Sequence, residues 1–250
     1  KFRRRYLCKY GFKGNFKTWE EALKKSTGYD NPEILEKVRL STILLRDKIA
    51  RVERDGLSFE RSVEWPPINA ILKEAEKKNN LIIVDYGGAL GTLYFQHEEK
   101  LYKIKDLKWI VVEQPHFVEC GKGEFSNGTL EFMKETDFFS SKMIPDVLIL
   151  SGIIQFLKQP YEKILKIINL NIPLIIIDRT PFSKTGKEKL CIQKVNPKIY
   201  NASYPVWLLD FKKLMSFFED KYELIQEFTP IDFDYSVDYK GIVLKLKEYN

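Results

Sequence analysis

The chain has 250 residues, of which 44% are hydrophobic and 30% are charged. This composition is typical of a folded protein with one large or two small domains, and it excludes a disordered or fibrous chain. All apolar runs fall short of the ~18 residues that a membrane span requires. Three widely spaced cysteines and only two histidines predict neither a metal site nor a disulfide framework. Unpaired cysteines are typical of a reducing compartment, so we expect a cytoplasmic protein.

The net charge of +6 is concentrated at the N-terminus. Residues 1–19 contain seven Lys and Arg and no acid, which leaves 34 basic and 35 acidic residues in the rest of the chain. A body with this balance gives no reason to predict nucleic-acid binding. Because the basic stretch also carries aromatic residues, it has two interpretations. It is either a solvated, frayed terminus or a peripheral contact with the anionic inner face of a membrane.

The pattern of residues 1–80 predicts a basic N-terminus followed by a helical extension. A capping box predicts a helix over 18–28. An Asp-Asn-Pro signal and one-sided apolar spacing predict a second helix over 30–56. A Pro-Pro pair predicts a third helix that begins at 66–67 and ends near residue 80. We expect this extension to form a lid over the domain that follows.

From Leu81 onward, short continuous apolar runs alternate with helical patterns. Such runs are typical of strands buried on both faces, and their alternation with helices predicts a parallel α/β sheet. Residues 81–250 are therefore predicted to form one α/β domain. The strands are predicted at 81–85, 109–113, 129–133, 146–151, 172–178, 222–228 and 241–247. The helices are predicted at 92–98, 115–121, 160–169 and directly after Asp210.

A glycine-rich loop follows the first predicted strand of this domain. It begins with Asp85 and contains Gly87, Gly88 and Gly91. Glycines in this position let the backbone approach a ligand at the carboxyl end of the sheet, and Asp85 can accept hydrogen bonds from a ligand ammonium or from water. Glu113 ends the second strand, where an acid commonly binds both ribose hydroxyls. This pairing predicts a nucleoside site, against the alternative of a tight turn with an incidental acid.

The glycine spacing distinguishes between kinds of nucleoside. The loop contains neither the G-x-G-x-x-G pattern of dinucleotide sites nor a Walker sequence. The spacing Asp85-x-Gly87-x-x-x-Gly91 instead resembles motif I of class I S-adenosylmethionine-dependent methyltransferases, which is acid-x-Gly-x-Gly-x-Gly. The sequence departs from that motif at the middle glycine, which is Ala89, while Gly88 stands one place earlier.

The resemblance extends over roughly residues 14–245. Across this range the chain is similar to a family of uncharacterised bacterial methyltransferases that are often associated with surface-polysaccharide gene clusters. Seven short motifs recur in the order found in that family. They are Tyr29-Asp30, Glu53-Arg54-Asp55, Asp85-Tyr86-Gly87-Gly88, Trp109-Ile110-Val111-Val112-Glu113-Gln114, Ser151-Gly152-Ile153-Ile154-Gln155-Phe156, Asp178-Arg179-Thr180-Pro181 and Tyr204-Pro205-x-Trp207.

The resemblance implies a Rossmann-like, seven-stranded class I methyltransferase sheet whose last strand is antiparallel. It also implies S-adenosyl-L-methionine as the cofactor. The loop glycines would line its methionine part, Glu113 its ribose and Gln114 its adenine, while Ser151 and Gly152 would face its sulfonium. The implied cofactor-binding residues are Asp85, Gly87, Gly88, Gly91, Glu113, Gln114, Ser151 and Gly152.

The catalytic candidates that the resemblance implies lie on the acceptor side of the site. Gln155 stands where related small-molecule methyltransferases often carry a histidine. Asp178 and Arg179 have two interpretations: they are either catalytic residues or a structural ion pair. Neither histidine is an evident base, because His97 is predicted on the surface and His116 near the ribose. The catalytic candidates are Gln155, Asp178, Arg179 and Tyr204.

The sequence therefore predicts S-adenosylmethionine-dependent methyl transfer to a small-molecule or glycan-type acceptor. One alternative is a catalytically idle binding or scaffold protein with the same fold, which the lack of an evident histidine base leaves open. The other is an NAD(P)-dependent oxidoreductase, which the glycine spacing disfavours. We expect the N-terminal helices and the segment 182–204 to close the acceptor site. The residues expected to gather near Ser151 and Gly152 are Tyr29, Asp30, Arg54, Arg179 and Tyr204.

Overall fold

The computed structural model describes residues 10–28, 32–54, 56–60, 64–78 and 80–248. The expectations for residues 1–9, for Tyr29 and Asp30, and for the side chain of Arg54 lie outside this described part of the chain. Within it, no helix is long and apolar enough to cross a membrane.

The N-terminal region contains the three predicted helices and three strands that the sequence did not predict. Its elements are β1 (Gly11–Phe16), α1 (Trp19–Lys24), α2 (Pro32–Arg46), β2 (Val52–Arg54), β3 (Leu57–Phe59) and α3 (Ile68–Ala75). The predicted helix start at Thr18 is confirmed, because the Glu21 N–H donates to the Thr18 hydroxyl at 3.2 Å. The reciprocal bond of a capping box is shifted by one residue, since the Glu21 carboxylate accepts from the Lys17 N–H at 3.1 Å.

The prediction that the second helix continues to residue 56 is wrong. Helix α2 ends at Arg46, and β2 and β3 pair as an antiparallel hairpin. The turn of this hairpin uses Gly56, whose φ of +78° is left-handed and therefore favours glycine. The Gly56 N–H also donates to the Glu53 carboxylate at 2.7 Å. Gly56 thus lies in a hairpin turn and not at a helix end.

The rest of the chain forms the predicted alternation of strands and helices. Its elements are β4 (Asn80–Tyr86), α4 (Thr92–Leu101), β5 (Asp106–Glu113), α5 (Pro115–Glu124), β6 (Leu130–Lys134), α6 (Glu135–Ser140), β7 (Val147–Ser151), α7 (Pro160–Ile168), β8 (Leu174–Ser183), β9 (Lys189–Lys194), β10 (Ser203–Leu208), α8 (Phe211–Ser216), β11 (Tyr222–Phe228) and β12 (Val237–Leu246). Seven strands form one sheet in the order β11-β12-β8-β7-β4-β5-β6. Strand β12 runs antiparallel to both of its neighbours. The expected seven-stranded sheet with an antiparallel last strand is confirmed.

Two apolar cores cover the two faces of this sheet. We call the face that packs against α2, α3, α4 and α5 the N-terminal face; Ile83 and Ile176 point to it. Because side chains alternate along a strand, a residue two positions after one on this face points to the same face. Four polar residues occupy such positions, where the parallel pairing of β8, β7, β4 and β5 ends. This group, the polar edge, consists of Asp85, Glu113, Ser151 and Asp178.

Strands β1, β9 and β10 form a separate antiparallel sheet that the sequence did not predict. Strand β10 brings Tyr204 against Phe156, with ring centroids 5.0 Å apart and nearly perpendicular planes. Phe156 closes a single 3-10 turn, Ile154–Phe156, that follows β7. The small sheet therefore packs beside the end of β7, next to the polar edge.

Candidate functional site

The loop between β4 and α4 keeps its backbone close to neighbouring groups. Gly87 and Gly91 have φ angles of +78° and +80°. A Cβ on Gly88 would lie 2.4 Å from Cγ of Asp85, so a side chain there would collide with the carboxylate. Ala89 adopts a φ of +53°, a left-handed conformation that costs an L residue about 1–2 kcal/mol. The loop therefore presents backbone to its surroundings, as a ligand-binding turn requires.

Asp85 is 1% exposed and lies directly under this loop. Neither of its carboxylate oxygens has a hydrogen-bond partner among the residues that the structure describes. Burial raises the pKa of Asp85 to about 7; the Trp109 indole acts in the opposite direction, and the charge of Glu113 adds to the rise. The indole N–H of Trp109 also makes no hydrogen bond within those residues. The carboxyl group is thus buried beside an indole that forms no hydrogen bond of normal geometry with it, which is unfavourable in the folded protein and marks Asp85 as a candidate ligand-binding group.

Glu113 ends the neighbouring strand β5, and two backbone N–H groups hold its carboxylate. The Ala89 N–H donates to Oε1 at 3.3 Å, and the Gln114 N–H donates to Oε2 at 2.7 Å. Burial raises the pKa of Glu113 to about 7, although both of these hydrogen bonds lower it. Each carboxylate oxygen can accept more than one hydrogen bond. Glu113 is therefore oriented by the loop and can still accept two further donors.

The turn after β7 brings together the predicted residues of the acceptor side. Gly152 continues from Ser151 with a φ of +67°. Gln155 is 4% exposed, and its Nε2 donates to the Arg179 carbonyl at 3.2 Å. A Cβ on Gly152 would lie 3.7 Å from Cβ of Arg179 and 3.9 Å from Nε2 of Gln155. The Oε1 atom of Gln155 has no hydrogen-bond partner among the described residues.

Asp178 and Arg179 are neighbours in sequence but bond to different parts of the molecule. The Arg179 Nε donates to Asp232 at 2.8 Å. Asp178 accepts from the Arg179 backbone N–H at 2.7 Å and from the Trp65 indole at 3.0 Å. Burial raises the pKa of Asp178, and these bonds partly offset the effect. Arg179 itself has a φ of +53°, so its backbone is held in a strained conformation beside the polar edge.

Tyr204 lies next to this group. The Tyr204 hydroxyl shares a hydrogen bond with that of Tyr200 at 3.3 Å.

The prediction that His97 lies on the surface is wrong. His97 is 8% exposed and stacks on Trp65 with ring centroids 5.1 Å apart. Burial lowers the pKa of His97 to about 4. This histidine is a neutral packing residue and not a surface residue.

Sequence reasoning missed two residues that complete these hydrogen bonds, Trp65 and Asp232. The only local signal is that Trp65 is next to the two prolines and that Asp232 lies in a segment rich in acidic and aromatic residues. Their partners, however, lie 113 and 53 positions away along the chain, and no local pattern indicates such pairings.

The chain matches no protein-family model and no curated protein, but it is similar to solved structures. One is the N-terminal domain of EvdMO1 with SAH bound, at 12% identity and a TM-score of 0.54, over 85% of this chain and 97% of that one. Another is the glycopeptide N-methyltransferase MtfA complexed with S-adenosyl-L-methionine, at 8% identity and a TM-score of 0.52, over 72% of this chain and 92% of that one. The fold is that of Rossmann-like class I methyltransferases.

Proposed function

We propose that the protein transfers a methyl group from S-adenosyl-L-methionine to a small-molecule or glycan-type acceptor. The observation that carries the proposal is Asp85, a buried carboxylate whose two oxygens make no hydrogen bond with the described residues and which lies directly beneath a loop whose glycines have no room for a side chain. The ammonium of the cofactor would supply the hydrogen-bond donors that this carboxylate lacks, either directly or through water.

Other residues of the polar edge fit the remaining parts of the same cofactor. Glu113, already oriented by the loop backbone, would accept the two ribose hydroxyls, and Gln114 would border the adenine. At Gly87, Gly88 and Gly91 a Cβ would lie within 3.0 Å of other protein atoms, so the loop has bare backbone at these positions and would line the methionine part with it. Ser151 and Gly152 would face the sulfonium from the end of β7. When bound, the cofactor supplies an electrophilic methyl group, and the protein's task is to orient the acceptor in line with it.

Among the catalytic candidates, Gln155 has the accepting atom that is best placed for this task. Its Oε1 is buried and has no partner in the described part of the chain, so it would accept a hydrogen bond from a hydroxyl or amine of the acceptor. Asp178 already accepts from Trp65 and from the Arg179 backbone, which leaves it fewer lone pairs for a proton. Arg179 and Tyr204 would line the acceptor beside it.

Calorimetry of the purified protein with S-adenosylhomocysteine and with NAD tests the proposed cofactor. We expect heat of binding and a raised melting temperature with S-adenosylhomocysteine, since a ligand that binds only the native state stabilises it. Binding of NAD without binding of S-adenosylhomocysteine would overturn the proposal in favour of an oxidoreductase. Binding without methyl transfer to any acceptor would favour the idle binding protein.

The variant Glu113→Ala tests the proposed ribose contact. Loss of two charge-assisted hydrogen bonds should weaken the binding of S-adenosylhomocysteine by about 1.5–3 kcal/mol, or roughly 10- to 150-fold in Kd. Glu131→Ala is the matched control, because Glu131 lies on the adjacent strand β6 and pairs with exposed Lys108 at 3.6 Å. Equal affinities of the two folded variants would show that Glu113 does not bind the cofactor.

A further inference from the structure

A cavity of about 620 Å³ lies beyond the carboxyl end of β8, beside the link between β11 and β12. The link contributes two aromatic rings and two carboxylates to the cavity wall, and the second residue of β12 contributes a third carboxylate. The lining residues that matter here are Asp232, Phe233, Asp234, Tyr235 and Asp238. None of them belongs to the proposed cofactor site.

The cavity is connected to the polar edge through one ion pair. Asp232 lines the cavity, is 9% exposed, and accepts from Nε of Arg179 at 2.8 Å. Cβ of Arg179 in turn lies 3.7 Å from the position that a Cβ on Gly152 would take. A single side chain therefore spans the distance from the cavity wall to the end of β7. The lining of the cavity includes no residue of the polar edge, so the ion pair of Arg179 and Asp232 stands between the cavity and Gly152.

Two aromatic rings on the cavity wall are largely exposed to solvent. Phe233 is 72% exposed and Tyr235 is 82% exposed. Their centroids lie 4.7 Å apart with planes at 80°, so they meet as an edge and a face. Exposed rings on a concave surface favour a ligand that covers them. The negative face of an aromatic ring attracts the polarised C–H groups of a saturated ring.

The charges of the cavity favour a ligand that carries donors and no negative charge. Four acidic residues and two lysines line it, and each lysine bonds to one of those acids. Asp234 accepts from the backbone N–H and the hydroxyl of Ser236 through Oδ1, while its Oδ2 accepts no hydrogen bond from the described residues. Ionised carboxylates accept and cannot donate, so this wall would bind hydroxyl or amino groups and repel anions.

We propose that this cavity is the outer part of the acceptor site, beyond the ion pair of Arg179 and Asp232, and that it binds a sugar-like ring with several hydroxyl or amino groups and no anionic group. The carbon face of the ring packs on one of the two nearly perpendicular aromatic rings, Phe233 or Tyr235, and the carboxylates accept from its donors. The role as acceptor site rests on the proposed methyltransferase function, whereas the ligand preference of the cavity can be measured without it.

Saturation-transfer difference NMR on the protein saturated with S-adenosylhomocysteine tests the ligand class. The probes are methyl glucoside, methyl glucosaminide and glucuronic acid. We expect both glycosides to bind and glucuronic acid to bind at least tenfold more weakly. Tyr235→Ala should weaken binding of the methyl glucoside at least fivefold, because it removes one of the two exposed rings of the cavity wall. The control Tyr102→Ala removes an equally exposed ring, 88% exposed at the end of α4, and should change nothing.

A second variant tests the selection against anions. Asp234→Asn keeps an oxygen for Ser236 but removes a charge, so the discrimination against glucuronic acid should fall to threefold or less. Preferred binding of glucuronic acid, or equal effects of Tyr235→Ala and Tyr102→Ala, would overturn the inference. Sugar binding to a protein that fails to bind S-adenosylhomocysteine would overturn only the proposed function. The reverse result, with cofactor bound and all sugars rejected, would overturn only the acceptor site.

Discussion

Two buried aspartates stand on the same face of the central sheet and differ in every contact they make. Asp85, at the end of β4, has no hydrogen-bond partner for either oxygen within the described residues. Asp178, two strands away on β8, accepts from the Trp65 indole and from the Arg179 backbone. Burial raises the pKa of both carboxyl groups. The two carboxyl groups are therefore similarly buried, and their hydrogen bonds distinguish them.

The contrast distinguishes a proposed ligand-binding carboxylate from one whose hydrogen bonds are made within the protein. A buried polar group that folding leaves without a partner destabilises the native protein, and its presence in a fold calls for an external partner. Asp85 fits this description. Asp178 instead links the segment before α3 to the strand that carries Arg179, so we expect it to hold the acceptor side together.

The largest effect is expected from Asp85→Asn, measured as the free energy of unfolding against pH. The folded pKa of Asp85, about 7, lies above its ordinary value of 3.8. Native Asp85 thus binds a proton that the unfolded chain has already lost, and the stability that it contributes below pH 4 is lost as the pH rises through 7. An asparagine never ionises, so the variant should match the wild type near pH 4 and exceed it by about 2–4 kcal/mol at pH 8.

The same substitution should weaken binding of S-adenosylhomocysteine, because the amide carries no negative charge and has only one accepting oxygen for the ammonium. A more stable protein that binds its ligand less well is the expected trade-off at a functional site. Asp106→Asn, at the exposed start of β5, is the control and should alter neither quantity. A loss of stability at pH 8 in Asp85→Asn would mean that the carboxylate has a native partner after all.

A smaller effect is expected from Trp65→Phe, which keeps a ring against His97 but removes the donor to Asp178. Leaving Oδ2 of Asp178 unsatisfied should lower the free energy of unfolding by about 1–3 kcal/mol. Trp207→Phe is the matched control, because the buried Trp207 indole N–H has no partner within the described residues. Both variants lose the same ring volume, so chemical denaturation should rank Trp65→Phe as the less stable. The opposite ranking would show that the bond to Asp178 contributes nothing.

The central sheet could be predicted from the sequence because each of its strands carries a local signal. The continuous apolar runs before Asp85, Glu113 and Ser151 identify buried parallel strands, and the observed bounds differ from the predicted ones by a few residues. The small sheet carries no such signal. Strand β1 contains two glycines and pairs with β9, about 180 residues later, so only the folded chain brings the two together.

The candidate site divides in the same way. Its cofactor side consists of one loop and the end of the next strand, and the spacing of Asp85, the loop glycines and Glu113 along the chain predicts it. Its acceptor side depends on Trp65, Arg179 and Asp232, which meet only after the N-terminal region and the link before β12 have folded against the sheet. The likeness to a methyltransferase motif indicated Arg179 as a candidate, but the partner that orients it could not be read from the sequence.

The smallest expected effect concerns Ala89, where the loop departs from the methyltransferase motif. Its φ of +53° is unfavourable for alanine and neutral for glycine. Ala89→Gly removes strain of about 1–2 kcal/mol but makes the unfolded chain more flexible, so the net gain in stability should be about 0.5–1 kcal/mol. The control Ala70→Gly lies inside helix α3 and should instead lose about 1 kcal/mol. Because the Ala89 N–H donates to Glu113 and glycine keeps that N–H, calorimetry should find the affinity for S-adenosylhomocysteine unchanged. A destabilised Ala89→Gly would mean that the methyl group of Ala89 packs in a way that outweighs its strain.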